Sequence, residues 1–579
     1  MGGSELETPI AETGTTPASH ARPAAAWPRR WAWPVLFVAA GLALFAAYLR
    51  QAQTVPVMSD GASNALQAWD LLHGNVLLRG WTMSDVSFYT TEIPQYMLVE
   101  LAHGLNADVV HIAAAMSYTL LVLGAALLAR GRSSGREGAV RMLVAAGIML
   151  APSLGTGTVT LLSNPDHTGT QVPMLVIWLI LDRVGPGGTT PPKPPPLLGG
   201  SLFPQTPSAP PNPPARREWW VPAAVTVLLA WVQVGDPLVL YEGVVPLALV
   251  CAIRILRRRG SLAENWYELS LAAGAVVSAS VAWVALKVIN RLGGFAVRPP
   301  AVAFAHLDHL PANAWVTVQS VLLLFGADFA GGQRAAHIGL AVVHLAGVAL
   351  AAWAVGRALR RFGTEDLVVQ VLTVALIVLL AAYVVRGNPN VRGSTHEIAG
   401  VLPIGAVLAG RLLGGTLARG RLLIPALAVI LGCYAGIEVH NAVQPRPSDP
   451  NAQVAAWLTA HHLTYGLGDY WNANAMTVDG ANRVQVRSVS RIGDKLVYRP
   501  WESENSWYDP AQHNATFLVT PGPANACSPG TPAGWEAAAR GTFGPPSGTY
   551  RVAGFIILVW HKNLLPDLTT KPPHGPVQC

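Results

Sequence analysis

The chain has 579 residues, of which 51% are hydrophobic and only 12% charged, where soluble domains carry about a quarter charged residues; its mean hydropathy is +0.36. That balance excludes an ordinary soluble enzyme over most of the length. The net charge of +7 gives no case for a nucleic-acid partner, because the arginines sit in short clusters between apolar runs, where membrane orientation accounts for them.

In chain order, residues 1–30 are rich in Ala, Pro and Thr without periodicity and are expected to be a disordered cytoplasmic N-terminus. A membrane region follows over 31–439. Apolar runs there predict about eleven spans: 34–50, 107–129, 139–160, 168–184, 219–234, 238–254, 266–288, 337–356, 367–385, 398–412 and 422–438. No small-x-small cleavage site follows the first run, which reads Tyr48-Leu49-Arg50-Gln51, so it is expected to be retained. Placing Arg29 and Arg30 inside puts the later clusters Arg130–Arg136, Arg254–Arg259, Arg357–Arg361 and Arg419–Arg421 inside as well. The same count makes 51–106 and 289–336 long outer loops and 186–217 a Pro-rich cytoplasmic linker. Residues 440–579 become an extracytoplasmic domain, with a helix over 451–462 and strands near 484–489, 516–519 and 550–560, hence α+β.

Cys251 and Cys433 fall in apolar runs and read as packing residues. Cys527 and Cys579 lie in the tail, where an oxidising compartment favours a disulfide between them; two free thiols are the alternative. Nearly all basic residues are Arg, and with abundant Ala, Gly and Pro this suggests a GC-rich, actinobacterial type of genome.

The first outer loop holds the most chemistry. Ser59-Asp60-Gly61-Ala62-Ser63-Asn64 opens a helix with Leu66, Trp69 and Leu72 at helical spacing, read as an amphipathic helix with that face toward lipid. Asp60, just after the first span, is either a general base for a substrate hydroxyl or a helix N-cap. Asp85 and Glu92 add carboxylates among aromatics, as substrate contacts or as part of a solvated turn. Between spans three and four, Asp166 and His167 suit a substrate hydrogen bond better than a metal, because adjacent residues rarely reach one ion; a divalent metal is left open and no other cofactor is implied. His306, Asp308 and His309 have ligand-like spacing in the second loop, which a surface loop explains equally well. Tyr241 and Glu242 open span six near the outer face, where an acid is commonly paired or functional. Arg386, Arg392 and His396 lie in a short outer loop, against the usual charge bias. They are read either as phosphate-binding groups or, for the arginines, as partners of Glu397. No nucleotide-binding Gly-rich loop, thiolate zinc pattern, nucleophile elbow or internal repeat is visible.

With its many spans, long first outer loop carrying Asp60 just after span one, and outer C-terminal domain, the chain resembles the GT-C superfamily of integral membrane glycosyltransferases. Ser59–Gln95 and Asn164-Pro165-Asp166-His167-Thr168 also look similar to actinobacterial membrane proteins of this kind. The loop lacks the paired-acid pattern of metal-dependent members. The resemblance implies inverting transfer of a sugar from a polyprenyl-phosphate donor to an extracytoplasmic glycan, lipid or protein, in cell-envelope biogenesis. Asp60 would then be general base, and Arg386, Arg392 and His396 would meet the leaving phosphate. The competing readings are a flippase or other transporter of lipid-linked sugars, and a non-enzymatic envelope-assembly protein.

Overall fold

The computed structural model describes residues 26–184, 219–298, 303–329, 335–420, 423–522 and 531–568. The Pro-rich linker, most of the N-terminus, Cys527 and Cys579 lie outside them. Contacts divide the chain after Leu44, so Met1–Leu44 holds the first part of helix α1 and Phe45–Cys579 the rest.

The apolar runs form helices α1 (Ala26–Ala52), α4 (Ala107–Arg130), α5 (Gly135–Met149), α7 (Thr168–Val184), α8 (Trp220–Gly235), α9 (Val245–Arg258), α10 (Trp266–Arg291), α12 (Ala335–Arg360), α13 (Leu367–Val385), α14 (Val401–Arg419) and α15 (Leu423–Ala442). Between them lie α2 (Ser59–Leu72), α3 (Ile93–His103), α6 (Thr156–Leu162) and α11 (Leu310–Leu324), with strand β1 (Trp81–Thr82). Their ends follow local chemistry. Asn106 caps α4 by accepting from Asp108 N, Asp366 caps α13 by accepting from Val369 N, and Gly131 ends α4 at φ 56°.

Among the described residues, seven helices are long and apolar enough to cross a membrane by length and composition. Spans three to six of the sequence reading are instead helices of 15, 17, 16 and 14 residues, so the count of eleven rests partly on short segments. Span three is a correction: α5 stops at Met149, ahead of Pro152, and the chain resumes as the short α6. The second long loop contains α11, which the sequence reading left unassigned. Cys251 is buried, but Cys433 is exposed on α15 and is not the packing residue expected.

The tail is a three-layer domain. Its elements are α16 (Pro450–Ala460), β2 (Tyr465–Asp469), α17 (Tyr470–Asp479), β3 (Gln485–Ile492), β4 (Lys495–Tyr498), β5 (Ser503–Glu504), β6 (Phe517–Val519), α18 (Pro532–Phe543), β7 (Gly548–Val552) and β8 (Phe555–Val559). Six strands run in the order β4-β3-β2-β6-β8-β7, with β2 parallel to β3 and β6 and the other pairs antiparallel. Alternation along the strands fills both faces. Leu467, Leu518 and Leu558 pack with Trp535 and Phe543 of α18, while Val486, Phe517 and Ile557 pack with Leu458 of α16 and Met476 of α17. The expected single strand over 550–560 is a hairpin, because Ala553 and Gly554 both take positive φ. Gly466 has no room for a side chain, since a Cβ there would stand 2.4 Å from the Phe517 ring.

The domain is seated on the first long loop. β1 pairs with β5, Trp81 opposite Glu504, and one core joins Leu66, Trp81, Phe88, Ile93 and Tyr96 of the loop to Val110 of α4 and Ala475, Val478 and Trp507 of the domain. This corrects the expected lipid-facing helix: Leu66 is 5% exposed, and α2 is held between α3 and α17.

At the other end of the bundle the last turns of α4, α9, α12 and α14 carry Arg130, Arg257, Arg258, Arg357, Arg360 and Arg419. There the buried Arg411 of α14 reaches Asp182 of α7 at 2.6 Å, Asp366 at 3.0 Å and the Leu128 carbonyl at 3.2 Å. Removing the cation leaves the buried Asp182 carboxylate without its closest partner. Arg411→Ala is expected to cost roughly 3–5 kcal/mol of stability, read by thermal unfolding in detergent. Adding Asp182→Asn should recover part of the loss; independent, additive effects would show that the ion pair does not join the helices.

Candidate active site

Two clusters of buried polar groups meet where the domain sits on the bundle. The first is built on Asp60. α2 has Met58 as its N-cap residue with no side-chain cap bond, so Asp60 stands in the first turn and is not the cap. Its Oδ1 lies 2.5 Å from the Tyr470 hydroxyl, which is also 2.5 Å from Oε2 of Glu502. Tyr470 starts α17 directly after the central strand β2, so the C-terminal end of that strand aims the phenol at Asp60. The Arg499 guanidinium lies 4.4 Å from the centre of the Tyr470 ring. Ser59 donates to the Tyr470 carbonyl, and Ser63 donates to that of Glu502 at 3.4 Å, pinning α2 to the domain. Burial raises the Asp60 carboxyl, against the lowering effects of the Tyr470 hydrogen bond and Arg499. Burial and the Asp60 charge push Glu502 well above the carboxylate range.

The second cluster lies among the helix ends. His167, at φ 52°, bonds Asp236 at 2.7 Å through Nδ1 and stacks on His396 with ring centres 5.5 Å apart. Burial opposes the His167 charge, but Asp236 outweighs it and brings the ring to about 10. Glu92 accepts from Thr170 N at 2.7 Å and its hydroxyl at 2.9 Å, and also from the Thr91 hydroxyl; burial, then the Asp236 charge, push it up to about 8. Asp166 accepts from Asn164 at 3.3 Å through Oδ2 while its Oδ1 has no hydrogen-bond partner among the described residues; burial, then Asp60, bring it to about 7. Glu242 sits in a π-helical turn (Leu240–Val244) that leads into α9 and accepts from Gln171 at 2.5 Å. Such turns redirect a side chain inward. The backbone packs tightly here: a Cβ on Gly400 would stand 2.6 Å from Glu242, and one on Gly169 2.8 Å from Glu92.

The fold therefore brings together Asp60, Glu92, Asp166, His167, Glu242 and His396. It leaves four expected site residues aside. Tyr241 is 40% exposed on the opposite side of its turn, and Asp85 is half-buried with no side-chain hydrogen bond among the described residues. Arg392 is exposed. Arg386 is bound to Glu397 and lies 5.8 Å from the Tyr383 ring centre, the ion-pair reading of that loop. Sequence reasoning missed Tyr470, Glu502, Arg499 and Asp236. The domain's aromatic and acidic run offered a signal of composition, but none of position. His306, Asp308 and His309 form an exposed turn, with His309 and Asp308 3.7 Å apart. Among the described residues, no three His, Cys, Asp or Glu side chains are placed to hold a metal ion.

No protein-family model and no curated protein matches the chain. Solved structures do. ArnT from Cupriavidus metallidurans bound to undecaprenyl phosphate aligns with a TM-score of 0.55 and 15% identity, over 94% of this chain and 100% of that one. The apo state of the same protein aligns with 0.54 and 13% over the same shares. The Archaeoglobus fulgidus oligosaccharyltransferase, with zinc and sulfate, aligns with 0.41 and 12% over 82% of this chain and 67% of that one, too distant to add weight. At these identities the likeness is one of fold: the chain shares the fold of the ArnT structures and is a multi-pass membrane bundle carrying a β-containing C-terminal domain.

Proposed function

We propose that this protein is a membrane glycosyltransferase that moves a sugar from a polyprenyl-phosphate donor to an extracytoplasmic acceptor, with Asp60 as general base. The observation that carries the reading is the position of Asp60, a half-buried carboxylate at the seam between domain and bundle, on the fold of a protein solved with undecaprenyl phosphate bound. A carboxylate there can meet both a lipid-anchored donor and a hydroxyl arriving from water. The acceptor oxygen attacks the anomeric carbon, its proton passes to Asp60, and the bond to the phosphate breaks with its electrons leaving on the lipid phosphate. Direct attack inverts the anomeric centre. Arg499, whose Nε has no hydrogen-bond partner among the described residues, is better placed than the ion-paired Arg386 to steady the leaving phosphate. The acceptor is a glycan, lipid or protein docking against the domain, and the charge bias of the loops supports a domain outside the cell.

Purified protein incubated with a panel of polyprenyl-phosphate sugars should release polyprenyl phosphate from at least one. Asp60→Asn and Asp60→Ala should each lower kcat by roughly 10²–10⁴-fold, whereas a transporter would tolerate Asn. Because the folded pKa of Asp60 is raised, its base form is lost on acidification earlier than for an ordinary aspartate. The acid limb of kcat/KM should accordingly lie above the usual carboxylate range; a flat profile through that range would remove Asp60 from the reaction.

For orientation, a cysteine introduced at the exposed Gln512, with the chain's own cysteines replaced, should react with a membrane-impermeant maleimide in intact cells. One at the exposed Glu264 should react only after lysis. The reverse pattern would invert the topology and end the extracytoplasmic reading.

A further inference from the structure

We propose that Tyr470 and Glu502 of the C-terminal domain are positioning residues for this transfer: Glu502 is held protonated and donates to the Tyr470 oxygen, and Tyr470 donates to Asp60 Oδ1. The inference rests on Asp60 being the base. The argument is one of proton count. The phenol oxygen stands 2.5 Å from a carboxylate oxygen on each side, and such contacts require a proton in each gap. A phenol supplies one proton, so a carboxyl group supplies the other.

Burial decides which. Glu502 is 6% exposed, enclosed by α2 and the domain, whereas Asp60 is half-buried and its Oδ2 carries no hydrogen bond among the described residues. The groups facing Asp60 are Tyr470, Glu502 and Arg499 from the domain, Asp166 from the segment between α6 and α7, and Tyr96 from α3, whose hydroxyl has no hydrogen-bond partner among the described residues. Arg499 favours a charged Asp60, and Asp469 stands near Arg499 in turn. Asp166 and an ionised Glu502 would oppose that charge, so a neutral Glu502 removes one of two repulsions. Asp60 is left charged, with Oδ1 fixed by the phenol and Oδ2 free to take the acceptor's proton as the new glycosidic bond forms. The catalytic centre is thereby split between two parts of the chain, and the bundle without the seated domain has a base that is neither oriented nor kept charged.

Infrared difference spectra against wild type at neutral pH, together with pH–rate profiles, test this. Glu502→Gln should remove a protonated-carboxyl C=O band that Asp60→Asn leaves in place. Tyr470→Phe keeps the ring under Arg499 but loses the donated bond. It should lower kcat about 10- to 100-fold with KM little changed, and move the acid limb to higher pH. The inference is overturned if Asp60→Asn removes the band and Glu502→Gln does not, or if Tyr470→Phe leaves the acid limb in place. A lost band in Glu502→Gln with no sugar transfer by wild type would overturn the transferase reading, and with it the positioning role, while leaving the proton assignment standing.

Discussion

The seating of the C-terminal domain on the first long loop is the contact on which the site depends. A loop of this length between α1 and α4 has no reason to hold one conformation in water. Here α2 and α3 are fixed because a shared core, a two-residue strand pairing and serine bonds to two domain carbonyls clamp α2 between α3 and α17. Burying apolar side chains of both partners in one cluster contributes stability in proportion to the area removed from water. The same closure excludes water from the carboxyls around Asp60, and this exclusion shifts their protonation.

Acids dominate that enclosed volume. Asp60, Glu92, Asp166, Asp236, Glu242 and Glu502 converge, with His167 and Arg499 the nearby cationic groups. So many carboxylates cannot all be charged in a region of low dielectric. The structure answers with hydrogen bonds from Thr91, Thr170, Gln171 and Tyr470 and with a histidine ionised by its aspartate. Such a network is costly unless each member is satisfied. Among the described residues the Tyr96 hydroxyl and Asp166 Oδ1 have no hydrogen-bond partner, so the network is not complete within the protein.

The two ends of the bundle use charge differently. At the arginine-rich end Arg411 ties α7 and α14 together through a direct ion pair with Asp182, a structural use of buried charge. At the domain end, charges are left partly unpaired and titratable, which suits chemistry better than cohesion. The tight approaches at Gly169 and Gly400 let backbone and carboxylate share the space that a larger residue would fill.

The sequence by itself determined the membrane class, the places of the apolar helices and the α+β tail, because hydropathy runs and strand alternation are local properties of the chain. It could not determine what covers an apolar face. Leu66, Trp69 and Leu72 show that one side of α2 avoids water, and only tertiary structure decides that protein rather than lipid lies over Leu66. Nor could it see that α5 ends before Pro152, since a hydropathy run does not register a break in backbone geometry. The partners of Asp60 stand more than 400 residues away in the chain, at Tyr470 and Glu502. A hydrogen bond depends on angstroms in space and leaves no trace in spacing along the sequence.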